Sequence, residues 1–201
     1  MSKRAKGSSA AKLKSVVVDG HTFHCGDCVL INSSGEAKPF IGRIRAIDKH
    51  PSEGKRVQVA WFYRPEECTG GRKVFHGERE LFSSDHLDWC GVSTIDGTCS
   101  VHTLRAYQAL EELTDEDFYA RFTYKPATKQ FKPDRVPVYC KCEMPYNPDK
   151  FMVECDVCSE WYHPDCLELS KKQVDAMKGF SCPNCKVEAA NGGPPLKVQR
   201  T

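Results

Sequence analysis

The feature that most constrains the fold of this chain is a group of seven cysteines and one histidine between residues 140 and 185. They form four close pairs with the spacings C-x-C, C-x2-C, H-x2-C and C-x2-C. Zinc takes four ligands in tetrahedral geometry, and two ligands close in sequence supply half of a site, so four pairs make two sites. Four protein ligands leave no position for water, and we therefore expect two structural zinc ions. The candidate ligands are Cys140, Cys142, Cys155, Cys158, His163, Cys166, Cys182 and Cys185.

The metal interpretation requires a reducing compartment, where disulfides are rare. No apolar run approaches the length of a membrane span, so no membrane association is expected. The basic start of the chain is not followed by the apolar segment of a secretory signal. We therefore expect an intracellular protein, with reduced core cysteines as the alternative to metal binding. The net charge of +2 argues against a strongly basic nucleic-acid-binding domain.

The ligand order, with the histidine fifth, resembles that of the PHD finger, whereas a RING finger usually has its histidine fourth. Phe180 and the run Trp161-Tyr162-His163 are also similar to that family. The resemblance implies that the pairs interleave. One zinc is then held by Cys140, Cys142, His163 and Cys166, and the other by Cys155, Cys158, Cys182 and Cys185. So short a segment has little core of its own, and we expect it to fold only with its metal.

PHD fingers that resemble this one bind trimethylated lysine 4 of histone H3 in an aromatic cage. A trimethylammonium group has no N–H to donate, so aromatic faces recognise it, each contributing about 0.5–2 kcal/mol. The resemblance assigns the cage to Tyr139, Tyr146, Met152 and Trp161. Alternatively, Tyr139 and Met152 only pack the small core. Further contacts with the histone tail are expected from Asp156, Glu160 and the backbone around Gly179.

We expect a domain boundary near Pro133–Pro137. The predicted fold class is mostly β with a small α content. Residues 1–15 lack apolar periodicity, and the end of the chain is rich in glycine and proline, so both are expected to be disordered or flexible. The predicted parts are a basic tail at 1–15, a β-rich domain at 16–136, a zinc finger at 137–187 and a flexible tail at 188–201.

Several segments carry clear secondary-structure signals. Apolar, β-branched and aromatic runs predict strands, and the alternation from Phe118 to Tyr124 predicts a half-buried one. The only good helix signal follows Ser170, a plausible N-cap, and ends at Gly179. Residues 104–113 fit either a helix or a loop. The other predicted strands are Cys28–Ile31, Phe40–Ile47 and Arg56–Tyr63, with a break at Pro51–Gly54.

Four motifs in the first half of the chain resemble the BAH (bromo-adjacent homology) domain of chromatin proteins. They are the runs 61–67, 70–72, 75–77 and 80–86. A BAH domain followed at once by a PHD finger is similar to the plant BAH–PHD histone readers, and the resemblance covers roughly residues 20–187. It implies a β-rich BAH domain joined to a finger in which the two zinc sites interleave.

The BAH resemblance implies a second cage, for trimethylated lysine 27 of histone H3, with Phe40, Trp61 and Tyr63 as its walls. Trp61 and Tyr63 are two residues apart on a predicted strand and therefore share a face. Phe40 stands where relatives can have tyrosine, which keeps the aromatic face and loses the hydroxyl. Asp85 and His86 are expected to contact the peptide.

Alternatively, Trp61 and Tyr63 are core residues. Val57 and Val59 share their face of the predicted strand, and core residues show the same periodicity. A third zinc site at Cys25 and Cys28, near His21 and His24, is not expected, because no second pair completes it.

The resemblance implies a nuclear, non-enzymatic reader of methylated histone H3. It would act with repressive chromatin complexes in transcriptional repression and in developmental, flowering-time control. A zinc-finger ubiquitin ligase or a fragment of a methyltransferase is an alternative, although the ligand order argues against the ligase. A DNA-binding chromatin adaptor is another, since the basic N-terminal tail is suited to weak phosphate contacts.

Overall fold

The computed structural model describes residues 10–32, 35 and 38–191. They form two compact units that divide between Asp134 and Arg135, within the predicted junction. The first unit consists of Met1–Lys73 and Arg79–Asp134, and the second of Val74–Glu78 and Arg135–Thr201. None of the helices in the described part of the chain is long and apolar enough to cross a membrane.

Strands dominate the first unit. Six of them, in the order β5-β4-β8-β9-β7-β6, form a barrel that closes because β6 also pairs with β5. β9 runs parallel to β7 and β8, and the other pairings are antiparallel. The strands are β1 (Ala11–Lys12), β2 (Ser15–Val18), β3 (His21–His24), β4 (Cys28–Ile31), β5 (Phe40–His50), β6 (Gly54–Tyr63), β7 (Glu80–Gly91), β8 (Ile95–His102), β9 (Asp117–Lys125) and β10 (Gln130–Lys132). The predicted strands at β4, β5 and β6 are confirmed.

The β2–β3 hairpin covers an apolar core inside this unit. Val57 and Val59 of β6 are fully buried, and Trp61 packs against the same cluster at its margin. Closing a sheet into a barrel removes its free edges wherever the strands pair. The buried cluster comprises Val16, Phe23, Val29, Ile31, Ile44, Ile47, Val57, Val59 and Ile95.

The predicted alternation from Phe118 to Tyr124 is only partly right. The structure buries Tyr119 together with Phe122 and Tyr124, so the buried face changes parity within the strand. Against β7 the register shifts by one residue at Arg121, which no residue opposes. Such a bulge moves every later side chain to the other face of the strand. Composition gave no signal for it.

The predicted disordered tail is too long. Ala11–Lys12 pairs with β5, and the Leu13 N–H donates to the Ile47 carbonyl at 2.8 Å. These backbone hydrogen bonds order a segment whose side chains show no apolar periodicity. The basic residues before position 10 lie outside the described residues. At the other end, the predicted flexible tail begins too early, because α3 continues to Ala190; residues 192–201 lie outside the description.

Among the residues that the structure describes, the second unit contains two small hairpins and two α-helices, and one short α-helix lies in the first. The Asn147 side chain donates to the Val74 carbonyl at 2.9 Å and the Glu78 N–H donates to Asp149 at 2.6 Å, which ties Val74–Glu78 into this unit. The elements are α1 (Leu104–Gln108), β11 (Val138–Tyr139), β12 (Met144–Pro145), β13 (Val153–Glu154), β14 (Trp161–Tyr162), α2 (Lys171–Asp175) and α3 (Pro183–Ala190).

Ser170 caps α2 as predicted, since its Oγ accepts from the Gln173 N–H and the Gln173 side chain accepts from the Ser170 N–H. The helix is shorter than predicted because Asp156 and Phe180 exchange hydrogen bonds that hold the residues before Phe180 out of the helix. Residues 104–113 resolve into α1 and a loop. No helix was predicted at α3, which begins directly after the zinc ligand Cys182 and contains the zinc ligand Cys185.

Candidate zinc centres and methyl-lysine pockets

The eight candidate zinc ligands lie in two groups, and within each group all ligand atoms are within 4.8 Å of one another. The groups are those of the interleaved pattern. One contains Cys140, Cys142, His163 and Cys166, and the other Cys155, Cys158, Cys182 and Cys185. Three thiolates with one imidazole, and four thiolates, are both ordinary donor sets for structural zinc. The finger therefore has two structural zinc sites.

Backbone N–H groups donate hydrogen bonds to the ligand sulfurs and so favour their thiolate form. The Cys182 N–H donates to Cys155 Sγ at 3.2 Å, and the Cys185 N–H donates to Cys182 Sγ at 3.5 Å. Burial raises the pKa of Cys155, but backbone donors, including those of Cys158 and Cys182, outweigh it and lower the pKa to about 6. Burial and the neighbouring thiols raise the pKa of Cys166 to about 11. Closely spaced thiolates repel one another, and a divalent cation bound between them would offset this repulsion.

One nitrogen of the His163 ring faces the first zinc site. His163 Nδ1 lies 3.4 Å from Cys142 Sγ and 4.0 Å from Cys166 Sγ, so Nδ1 is the nitrogen placed to bind metal. Left-handed backbone at Cys140 and Ser159 turns the chain tightly beside ligands of both sites. The sulfurs are thus brought together by local turns, and each site needs two distant parts of the finger.

The four residues predicted for the finger's cage lie on or beside its two hairpins. Trp161 is on β14, opposite Glu154, and is 38% exposed. Met152 comes just before β13 and is only 7% exposed, which supports the alternative that it packs the small core. Tyr139 on β11 and Tyr146 just after β12 are both half-buried. Trp161 is therefore the most accessible of the four predicted walls.

Asp156 and Glu160 differ as candidates for contacting a histone tail. Asp156 Oδ2 already accepts from the Phe180 N–H at 2.7 Å, so only its other oxygen is available to a ligand. Glu160 is only 8% exposed and is therefore less accessible to a histone tail than the exposed Asp156, so its contact with the tail stays a prediction. At Gly179 a Cβ atom would lie 2.9 Å from Asp156 Oδ2, so a larger residue here would have to displace this carboxylate.

An aromatic pocket of about 420 Å³ opens in the first unit. The rings of Phe40 and Trp61 meet edge to face with centroids 6.0 Å apart. Trp61 lies opposite Gly42, and the space that a side chain at Gly42 would fill is taken by Val59, whose Cβ would lie 3.0 Å from an added Cβ. The pocket is lined by Phe40, Trp61, Phe62, Tyr63, Glu67, His86 and Asp88. It contains all three predicted cage walls.

A bulge in β7 brings His86 into this pocket. Ala60 pairs with Leu87 and Phe62 with Ser83, so three residues of β7 oppose Trp61 alone. The Ser84 hydroxyl donates to the Trp61 carbonyl at 2.7 Å and fixes the bulge. His86 then stacks on Tyr63, with its Nδ1 atom 2.6 Å from the hydroxyl oxygen. Burial raises the pKa of Tyr63, which keeps this hydroxyl protonated.

Sequence reasoning missed two acidic residues of the pocket and included one residue that does not line it. The carboxylate of Asp88 favours a cationic ligand, whereas that of Glu67 already forms an ion pair with Arg64. Asp88 is two residues from His86 on the same strand, a signal that could have indicated it. Asp85 is exposed and is not among the lining residues.

The described residues hold no third metal group. Cys28 is buried opposite Cys99 in the barrel, whereas Cys25 is exposed. Neither thiol belongs to a group of three or more candidate metal ligands among the described residues.

The two domains match known families. The family model for the BAH domain matches residues 21–135, and that for the PHD-finger matches residues 140–185. Among solved structures, the crystal structure of the yeast Rsc2 BAH domain is similar to this chain, with a TM-score of 0.50 and 25% sequence identity. The match covers 60% of this chain and 53% of the Rsc2 chain. A closed barrel with an aromatic pocket, followed by a two-zinc finger, defines a module of chromatin proteins.

Two relatives in Arabidopsis thaliana are similar to this chain over most of its length. The chromatin remodeling protein EBS is 48% identical over 161 residues, or 80% of this chain and 69% of the relative. The chromatin remodeling protein SHL is 46% identical over 169 residues, or 83% and 74%. The chain belongs to this BAH–PHD family of chromatin proteins. Lysine-specific demethylase 7A of Xenopus tropicalis matches only 32% of the chain, at 41% identity, and 7% of its own length.

Proposed function

We propose that this protein is a nuclear reader of methylated histone H3, in which the BAH pocket binds trimethylated lysine 27 and the PHD finger binds trimethylated lysine 4. The observation that carries the proposal is the aromatic pocket formed by Phe40, Trp61 and Tyr63. Its aromatic walls suit a methylammonium group, and the carboxylate of Asp88 adds attraction for a cation.

The finger's part of the proposal depends on Trp161. The zinc ligand His163 follows two residues later, so the metal restrains the backbone that carries this exposed ring. The free oxygen of Asp156 is available for the arginine at position 2 of the tail, and the backbone around Gly179 for its amine. Met152 contributes a wall only through the small part of its surface that is accessible.

The names of the Arabidopsis relatives support a role in chromatin, and the resemblance supports recruitment of repressive complexes in flowering-time control. The chain acts by binding and carries out no chemical step in this proposal. A ubiquitin-discharge assay tests the ligase alternative, and transfer of ubiquitin by the purified chain would establish that alternative instead.

The three tryptophans of the chain provide a matched experiment. Binding of H3 peptides trimethylated at lysine 4 or at lysine 27 is measured by calorimetry for the wild type and for W61A, W161A and W89A. We expect W61A to weaken only the lysine 27 peptide and W161A only the lysine 4 peptide, each by about tenfold or more. Trp89 lies under the Arg56 guanidinium and lines no described pocket, so W89A is the control.

The proposal fails for either domain whose peptide binds a folded tryptophan variant as tightly as the wild type. A further variant, F40Y, addresses the methylation state. The tyrosine hydroxyl adds a polar atom to the pocket wall at position 40. Its effect on the preferred methylation state is measured by comparing the affinities for di- and trimethylated lysine 27 peptides. A doubly methylated peptide tests simultaneous binding, since two linked sites raise affinity by about 100- to 10,000-fold when both can be reached.

A further inference from the structure

A second groove, of about 540 Å³, lies on the first unit and shares no residue with the aromatic pocket. Its floor is apolar and its rim is polar. The apolar residues are Val18, Phe23, Leu30 and Ile95, and the others are Asp19, His21, Asp96, Gly97, Thr98, Cys99, Ser100 and Glu116. A volume of this size is within the range of ligand-binding clefts.

One wall of the groove is an unpaired strand edge. On one side β8 pairs with β4 through Cys99, Thr98 and Gly97. On the other side β9 pairs with β8 only from Ser100 to His102. Over Asp96–Cys99, no strand in the described part of the chain covers this second edge. An uncovered edge presents backbone donors and acceptors to any extended chain that reaches it.

The direction of the free backbone groups follows from a neighbouring hydrogen bond. The Ser100 N–H donates to the Glu116 carbonyl at 2.9 Å, away from β4. Backbone groups of residues two apart on a strand point to the same side, so the N–H and C=O of Thr98 also point away from β4, toward the groove. Thr98 therefore offers one donor and one acceptor at the groove wall.

The charge of the rim has one sign. Asp19, Asp96 and Glu116 line the groove, whereas no lysine or arginine does. Asp19 is held at the tip of the β2–β3 hairpin by a turn in which Asp19 and Gly20 both have positive φ. None of the three carboxylates forms a salt bridge within the residues that the structure describes. The rim is complementary to a cationic ligand.

We propose that this groove binds an extended segment of a partner protein that carries lysine or arginine side chains, added as a strand to the free edge of β8. Alternate side chains of such a segment point to opposite faces. One set then reaches the floor formed by Phe23, Leu30 and Ile95, and the other reaches the acidic rim. Main-chain bonds to Thr98 contribute affinity, and the pattern of side chains contributes specificity. The inference does not depend on methyl-lysine binding.

The test uses the full chain with zinc bound and a fluorescent, unmethylated peptide of eight residues that alternates valine with lysine. A peptide with glutamate in place of lysine is the ligand control. Affinity is measured by fluorescence anisotropy, and hydrogen exchange locates the site. We expect the lysine peptide to bind more tightly and to protect the amides of residues 95–100.

Variants that neutralise carboxylates of the rim distinguish binding at this groove from non-specific attraction between the peptide and an acidic protein surface. D96N combined with E116Q is expected to weaken the lysine peptide by about three- to tenfold, since exposed ion pairs contribute modestly. E111Q combined with E112Q removes the same charge at exposed positions outside the groove and is the control. Equal weakening by the two double variants overturns the proposal.

T98P removes the edge donor, and W89A is the control because Trp89 lines neither the groove nor the aromatic pocket. We expect folded T98P to bind more weakly and W89A to bind normally; loss of binding in W89A contradicts the proposal. If T98P does not fold, the rim variants and hydrogen exchange decide whether the peptide binds in the groove. Deletion of residues 1–9 tests the chain's own basic segment as occupant. Protection of residues 95–100 that is present without peptide and lost on this deletion overturns the proposal.

Discussion

The two units of this protein are stabilised by different means. The barrel buries nine apolar side chains in one cluster, whereas three of the five buried residues of the finger's cluster are cysteines. Those three cysteines are zinc ligands, and Tyr162 and Phe180 complete the cluster. A barrel of this kind gains stability from the apolar area it removes from water. The finger is too small to do so and depends on its metals.

Zinc removal is the strongest test of this difference. Chelation is expected to unfold the second unit and leave the barrel folded, since structural zinc contributes about 10–16 kcal/mol in finger peptides. Thermal unfolding followed by tryptophan fluorescence, with and without chelator, measures this. C155S is expected to have the same effect as chelation, and C25S, at an exposed thiol, is the control. A finger that stays folded after complete zinc removal would contradict the comparison.

A buried ion pair makes the barrel, too, sensitive to one substitution. Glu80 is fully buried and accepts from Arg121 at 2.8 and 3.2 Å and from the Tyr119 hydroxyl at 3.1 Å. R121L leaves this carboxylate without its cation, and we expect the free energy of unfolding of the barrel to fall by about 3–5 kcal/mol. Urea denaturation measures the change. The more exposed pair of Arg72 and Glu66 provides the control, R72L, at about 0–1 kcal/mol.

Gly179 tests the packing of the finger beyond its metals. A methyl group there would lie 2.9 Å from Asp156 Oδ2 and would displace the carboxylate from the Phe180 N–H. We expect G179A to destabilise the zinc-bound finger by about 1–3 kcal/mol, the cost of a buried hydrogen bond. Thermal denaturation with zinc present measures it. G91A, where the added atom meets nothing closer than 3.7 Å, is expected to change little.

The smallest expected effect is pH-dependent and confined to the barrel. Hydrogen bonds from His102 and then from Thr114 lower the pKa of Asp117 from 3.8 to about 2. The carboxylate therefore contributes stability that is complete above about pH 5 and is lost as the pH falls from 4 toward 2. We expect D117N to cost about 1 kcal/mol at pH 7, after screening by solvent, and less at pH 3.

Urea denaturation of D117N at the two pH values measures this difference. D115N, at a side chain that is 94% exposed, is the control. If D117N costs as much at pH 3 as at pH 7, the contribution of the Asp117 charge is refuted.

How far the sequence predicts the molecule differs between the two units. Close spacing along the chain identified all eight zinc ligands, because each pair is formed by a local turn. Which pairs share a zinc came from family resemblance, since spacing leaves several pairings open. In the barrel, alternation identified β6 but not where it leaves the core. Val57 and Val59 are buried in the cluster, whereas Trp61 lies at its margin and opens into the pocket.

The sequence by itself determined that the chain is a mostly β domain followed by a two-zinc finger, because ligand spacing and side-chain alternation are local properties. Only the tertiary structure decided which side chains meet. Glu67, His86 and Asp88 join the rings of Phe40 and Trp61 because a bulge in β7 and the closing pair β5–β6 bring three segments together. The free edge of β8 likewise depends on where β9 begins to pair. Such contacts arise from strand register, which one residue can shift and which composition does not encode.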